Sequence, residues 1–206
     1  MSRIEKVESG KDKAVTYKYQ MERYKLSIDQ QFYFEAIVIA YAMLEDRLLA
    51  FLHYAGVIDR RTEGNQAEER IYVSTQAQKQ IKALLKRKTD DKIYLDTISI
   101  KIKIIKKLMS LPEENNDPYL NSVRAQIDKT INRKDFNALL QKLSTWLNPR
   151  NQIIHALMGK RTEAVLKIQA GIAEEGYQLG RALDGFVSKL KAGNKDGIRI
   201  LEKEGV

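Results

Sequence analysis

The chain has 206 residues, with 36 Lys and Arg against 27 Asp and Glu and a net charge of +9. That length supports one domain with a real core, and that charge favours a polyanionic partner such as nucleic acid while also fitting a plain basic surface. There is no cysteine, and the two histidines are His53 and His155. Disulfides, thiolate zinc sites and thiol nucleophiles are thereby excluded, and no His-x-x-x-His or Asp-x-Asp arrangement is present, so neither a metal nor another cofactor is expected.

Met1-Ser2-Arg3-Ile4-Glu5-Lys6 lacks the apolar centre of a signal peptide, and no run of eighteen apolar residues occurs. A cytoplasmic protein with no membrane partner is the expectation. Three prolines leave long segments unbroken. The fold class expected is all-α, as a single domain over 1–206 with segments 1–12 and 192–206 flexible or peripheral.

Tyr17, Met21, Tyr24 and Ile28 recur every three or four positions and read as a first helix over 14–30. The next, over 31–54, is apolar nearly all round, which argues for a central position. Glu45 falls on its apolar face among Val38, Tyr41, Leu49 and Leu52 and needs a partner if buried. Arg150 is the candidate; the alternative is Arg47 or solvent. Gly56 ends this helix, and 59–69 reads as a polar loop. Ile71, Ala77, Ile81 and Leu84 or Leu85 then make a helical stripe over 70–88, closing on Lys86-Arg87-Lys88, cations suited to a helix C-terminus.

From 93 to 109 the isoleucines fit two periods. Ile98, Ile100, Ile102 and Ile104 alternate like a strand, whereas Ile98, Ile102, Ile105 and Met109 form a helical stripe. No second strand of like quality exists to pair with, so helix is preferred. Residues 111–118 are a loop rich in turn formers. A helix through Leu120, Val123, Ile127 and Ile131 follows, then one from Lys134 to Leu147 with Phe136, Leu140, Leu143, Trp146 and Leu147 on one side. The last long helix, from Glu163 to Leu190, carries Val165, Ile172, Gly176, Leu179 and Leu183 as its stripe. Gly171, Gly176 and Gly180 argue for close helix packing, since a mid-helix Gly otherwise costs about 1 kcal/mol.

Between these two helices lies the most chemical stretch, Asn148-Pro149-Arg150-Asn151-Gln152-Ile153-Ile154-His155. Asn148 suits an N-cap and Pro149 the first helical position, so a new helix is expected to start here. Asn151 and His155 are four apart and share a face. His53, near a helix end, reads as structural.

Arg150, Asn151 and His155 spell Arg-Asn-x-x-x-His, which resembles the signature of the HEPN superfamily. The specific match covers about six positions, within a helical pattern from 29 to 190. The resemblance implies an antiparallel helical bundle of HEPN type with additional helices, acting as a metal-independent endoribonuclease in a toxin or antiviral role, with two copies of the motif meeting in a homodimer. Toxins of the best-known two-gene subgroup carry a Tyr two residues after the His; here that position is Leu157, which sets the chain apart from that subgroup. Whether an antitoxin or regulatory chain restrains the activity stays open.

Cleaving RNA without a metal uses the 2′-hydroxyl as nucleophile. It needs a base, an acid and stabilisation of the phosphorane. His155 is the candidate acid or base, because an imidazole titrates near neutrality. Arg150 is the candidate phosphate clamp, because its fork matches two oxygens. Asn151 is a donor to the phosphate or an orienter of His155, Glu45 is a supporting residue, and Lys160 and Arg161 are candidate RNA contacts. On a helix, Arg150 and His155 are about 140° and about 7.5 Å apart, so one motif supplies neither both proton carriers nor a single focus. A two-fold dimer supplies two of each, and the Phe136–Leu147 stripe and the glycine-bearing last helix offer surfaces for it. Two other readings remain: a HEPN-like RNA- or protein-binding module without turnover, and a structural set in which Arg150 anchors a carboxylate, Asn151 caps and His155 fills a helix interface.

Overall fold

The computed structural model describes residues 10–63, 68–73, 81–83, 95, 97–112, 117–156 and 162–193. In chain order these form α1 (Gly10–Asp29), α2 (Tyr33–Tyr54), strands β1 (Ile58–Glu63) and β2 (Glu68–Val73), then α3 (Ile98–Met109), α4 (Pro118–Thr130), α5 (Arg133–Ala156) and α6 (Thr162–Gly193). The described chain is mainly helical, as expected, and departs from expectation first at residues 58–63 and 68–73. Ile58–Glu63 and Glu68–Val73 pair as antiparallel strands where a loop and the start of a helix were expected, with Ile58 opposite Val73 and Arg60 opposite Ile71. Lys86, Arg87 and Lys88, along with Lys160 and Arg161, lie outside the described residues.

Helix ends follow local chemistry. Thr97 caps α3, its hydroxyl accepting from the Ile100 N–H at 3.3 Å, and Ile98, Ile102, Ile105 and Met109 are buried; the helical period is the one the chain uses. Asp117 caps α4, with Pro118 at the first position. Both α1 and α2 close on a left-handed residue, Gln31 (φ 62°) and Gly56 (φ 76°). In each case the following N–H reaches five residues back, Phe32 to Ser27 at 2.7 Å and Val57 to Leu52 at 2.9 Å, satisfying carbonyls that a helix end leaves orphaned.

The described chain divides into two units, Met1–Met43 with Trp146–Tyr177, and Leu44–Thr145 with Gln178–Val206. Helices α2, α5 and α6 contribute residues to both. In the first unit Tyr24, Ala36, Ile37, Ala40, Trp146, Ile153, Ile172 and Ala173 are buried. The Trp146 indole N–H donates to the Ile172 carbonyl at 2.8 Å, and the Tyr24 hydroxyl donates to the Ala173 carbonyl at 3.2 Å. Burial, then the nearby Glu174, pushes the Tyr24 phenol up, so it stays protonated and keeps that bond. Gly176 is required here: a Cβ would stand 2.5 Å from the Trp146 ring, whereas one at Gly171 would meet nothing within 4 Å. The close packing read from the small residues therefore belongs to Gly176 and not to Gly171.

In the second unit Phe136 stacks on Phe51 with centroids 4.6 Å apart and tilts against Phe186 at 4.9 Å. Leu44, Leu48, Leu52, Leu140, Leu143, Leu183 and Leu190 complete a buried apolar set. The carbonyls of Tyr54 and Gly56, where α2 ends, accept from Gln126 at 2.8 Å and Tyr119 at 2.6 Å, both on α4.

Candidate functional site

The motif does not start a helix. It occupies the last turns of α5, and Pro149 lies inside that helix. The true N-cap is Asn132, whose side-chain oxygen accepts from the N–H groups of Lys134 at 3.0 Å and Asp135 at 3.2 Å. Interior proline removes one backbone bond and crowds the preceding turn, a cost of about 3 kcal/mol. The helix continues because its apolar stripe does: Leu143, Trp146, Leu147 and Ile153 are all buried on either side of Pro149. Asn148, expected as the cap, is an exposed residue within the helix.

Arg150 and Asn151 are adjacent and joined: one Arg150 Nη donates to the Asn151 side-chain oxygen at 2.9 Å. The guanidinium carbon lies 3.8 Å from the centre of the Tyr41 ring, a cation over a π-face, worth about 0.5–2 kcal/mol depending on desolvation. Arg150 is half-buried and Asn151 exposed. The planar cation is held by its face and by one edge at the protein surface. His155 lies in the same helix, one residue before its end, so the separation of about 140° and about 7.5 Å from Arg150 stands.

Glu45 is not the partner of Arg150. Its carboxylate accepts from the Lys101 ammonium at 2.7 Å, with the Lys101 side chain 1% exposed and that of Glu45 34%. A carboxylate on an apolar face does find a cation, but the cation comes from the isoleucine-rich α3. The signal was in the sequence: Lys101 is three residues from Ile98 and four from Ile105, on the buried stripe itself. Arg47, the other expected partner, binds Asp46 and, at 2.8 Å, Asp184. Tyr41 is the residue that sequence reasoning missed at the site, because a Tyr on an apolar helix face reads as core. His53 lies half-buried in the last turn of α2, tilted against Tyr54 with centroids 5.2 Å apart.

The surfaces expected for a second copy are also corrected. Phe136, Leu139, Leu140, Leu143, Trp146 and Leu147, and on α6 Leu179, Leu183 and Leu190, are buried within the chain. Exposed apolar side chains instead lie on α1, at the α1–α2 turn and on α2 and α6. Among the described residues no group of three or more His, Asp or Glu is gathered as a metal would need. No helix among them is long and apolar enough to cross a membrane. No family model, curated protein or solved structure matches the chain.

Proposed function

We infer that the chain is a metal-independent endoribonuclease with a HEPN-type helical bundle, cytoplasmic and serving as a toxin or in antiviral defence. The observation that carries this reading is the Arg150 guanidinium, fixed on the Tyr41 ring and tied to Asn151, in the same helix turns as His155. A preorganised cation of this kind stabilises a phosphorane without reorganising as charge develops. In the reaction a base takes the 2′-hydroxyl proton, the 2′-oxygen forms a bond to phosphorus, and the P–O5′ bond breaks as an acid protonates the leaving oxygen. The products are a 2′,3′-cyclic phosphate and a 5′-hydroxyl.

Base and acid act on opposite sides of phosphorus, and the motif holds one His. The active species is therefore a homodimer whose two His155 residues share one site, with two Arg150 residues around it. Differently tagged heterodimers of wild type with His155→Ala test this, with sedimentation run at the assay concentration. A shared site leaves the heterodimer nearly inactive; half the homodimer's turnover, or full activity in a monomer, means that each chain is complete.

A further inference from the structure

Helix α1 is seated by one face, where Tyr24 and Ser27 are buried. A helix so placed ordinarily turns a polar face to water. Here Val15, Tyr19 and Leu26 are 68%, 57% and 54% exposed. At about 100° per residue they fall within about 40° of one another, on the side away from Tyr24. Beside that stripe, on one flank, run Lys18, Glu22, Lys25 and Asp29, all exposed and within about 60° of one another. Spacings of four, three and four residues allow ion pairs along a helix, yet none of the four is ion-paired among the described residues. The other flank is taken: Arg23 donates to Glu35 of α2 at 2.5 Å.

The order of the row, cation, anion, cation, anion, decides what fits it. An anionic lipid surface or a phosphate backbone would meet Glu22 and Asp29 as well as the lysines. The same row run backwards is its own complement. A two-fold axis crossing α1 between residues 23 and 24 sets Lys18 opposite the second copy's Asp29 and Glu22 opposite its Lys25. Each pair occurs twice, and no like charges of the row are opposed. In that register Tyr19 and the second copy's Leu26 are two residues, about 3 Å, apart along the axis, so the two apolar stripes interleave.

We propose that α1 is a self-association surface that packs antiparallel on α1 of a second copy, through the Val15, Tyr19 and Leu26 stripe and the Lys18–Asp29 and Glu22–Lys25 pairs. This pairing needs nothing from the nuclease reading, and α1 carries none of the motif. Sedimentation equilibrium of the full-length chain tests it. Compared with wild type are an acidic-row variant (Lys18→Glu with Lys25→Glu), a basic-row variant (Glu22→Lys with Asp29→Lys), their equimolar mixture, and Leu26→Ser. The control, Lys103→Glu with Lys107→Glu, changes net charge as the acidic-row variant does, but on α3. Circular dichroism is recorded on every sample.

Each row variant alone is expected to associate about 10- to 1000-fold more weakly than wild type, because every attraction across the axis becomes a repulsion. Their mixture regains a dimer at least as tight as that of wild type, since an all-acidic row meets an all-basic one. Leu26→Ser weakens association by about 10- to 100-fold with the row intact, and the α3 control associates as wild type. If one row variant loses its helical spectrum, the other and Leu26→Ser still decide. A wild type that stays monomeric up to about 0.1 mM, folded row variants that associate as wild type does, or a mixture no tighter than either variant alone overturns the proposal. Monomeric row variants that cleave RNA at the wild-type rate keep this surface and remove the shared active site; a wild-type dimer indifferent to both rows does the reverse.

Discussion

The two units differ in what they leave unfinished. All of the large hydrophobic side chains exposed among the described residues, Val15, Tyr19, Leu26, Phe32, Phe34, Val38 and Ile168, belong to the unit that carries Arg150. The other unit exposes none of this kind among its described residues, and holds the ion pairs of Glu45 with Lys101, Arg47 with Asp184 and Arg133 with Asp128. The Glu45–Lys101 pair is anchored by a buried Lys101 on α3, whereas Arg150 is half-buried over Tyr41 and bonded to Asn151.

The largest effect is expected at Arg150. Arg150→Lys is expected to be nearly as damaging as Arg150→Ala, lowering kcat/KM by roughly 30- to 1000-fold, because a point charge reproduces neither two parallel donors nor the stack on Tyr41. Steady-state turnover with a circular-dichroism control checks this. Near-wild-type turnover in the Lys variant removes the clamp.

In the other unit the expected loss is of stability. Glu45→Ala leaves the Lys101 ammonium buried with no carboxylate. Removing one partner of a fully buried pair costs about 3–5 kcal/mol; because Glu45 is a third exposed and water can take part of its place, about 2–3 kcal/mol is expected in urea unfolding. Adding Lys101→Met to that variant restores most of it, since an apolar side chain suits the buried α3 stripe. A double variant no more stable than the single one contradicts the account.

Glycine positions sharpen the contrast within α6. Gly176→Ala drives a methyl into the Trp146 ring and is expected to cost about 1–3 kcal/mol. Gly171→Ala meets open space and gains up to about 1 kcal/mol of helix propensity. Thermal unfolding of the two variants moving in the same direction sinks the packing argument. Gln31→Gly has the smallest effect, a gain of about 0.5–1 kcal/mol from relieving a left-handed non-glycine residue at the α1–α2 turn, measured the same way.

The helical character of α1 to α6 was legible where one period dominated, whereas the stripe read from Ile71 began in a strand. Residues 98–109 carried two periods, and the buried set Ile98, Ile102, Ile105 and Met109 follows the one that a helix can bury on a single face. Three features were not legible, each for a physical reason. Proline reads as a boundary because its local cost is known, while the burial of Trp146, Leu147 and Ile153 that outweighs it is tertiary. The hairpin pairs Arg61 with Arg70 and Glu63 with Glu68, like charges that directly opposed positions disfavour, and its strands lack clean alternation. Arg150 and Glu45 were matched by charge alone; sequence spacing says nothing of which cation on another helix lies nearest, and Lys101 was hidden by its isoleucine neighbours.

At the site, Asn151 was expected to donate to a phosphate or to orient His155, whereas its side-chain oxygen accepts from Arg150; the Tyr41 platform was not legible either, since it comes from a helix more than a hundred residues earlier. That platform is what turns a short motif into a fixed cation. The measurement that tests the mechanism most directly is analysis of the ends left on a mixed RNA pool by wild type and by His155→Ala in excess chelator. The wild type is expected to leave 2′,3′-cyclic phosphate and 5′-hydroxyl ends, and the variant to lose about 100- to 10,000-fold in activity. Activity abolished by chelator and restored by magnesium or manganese, with 5′-phosphate ends, contradicts it.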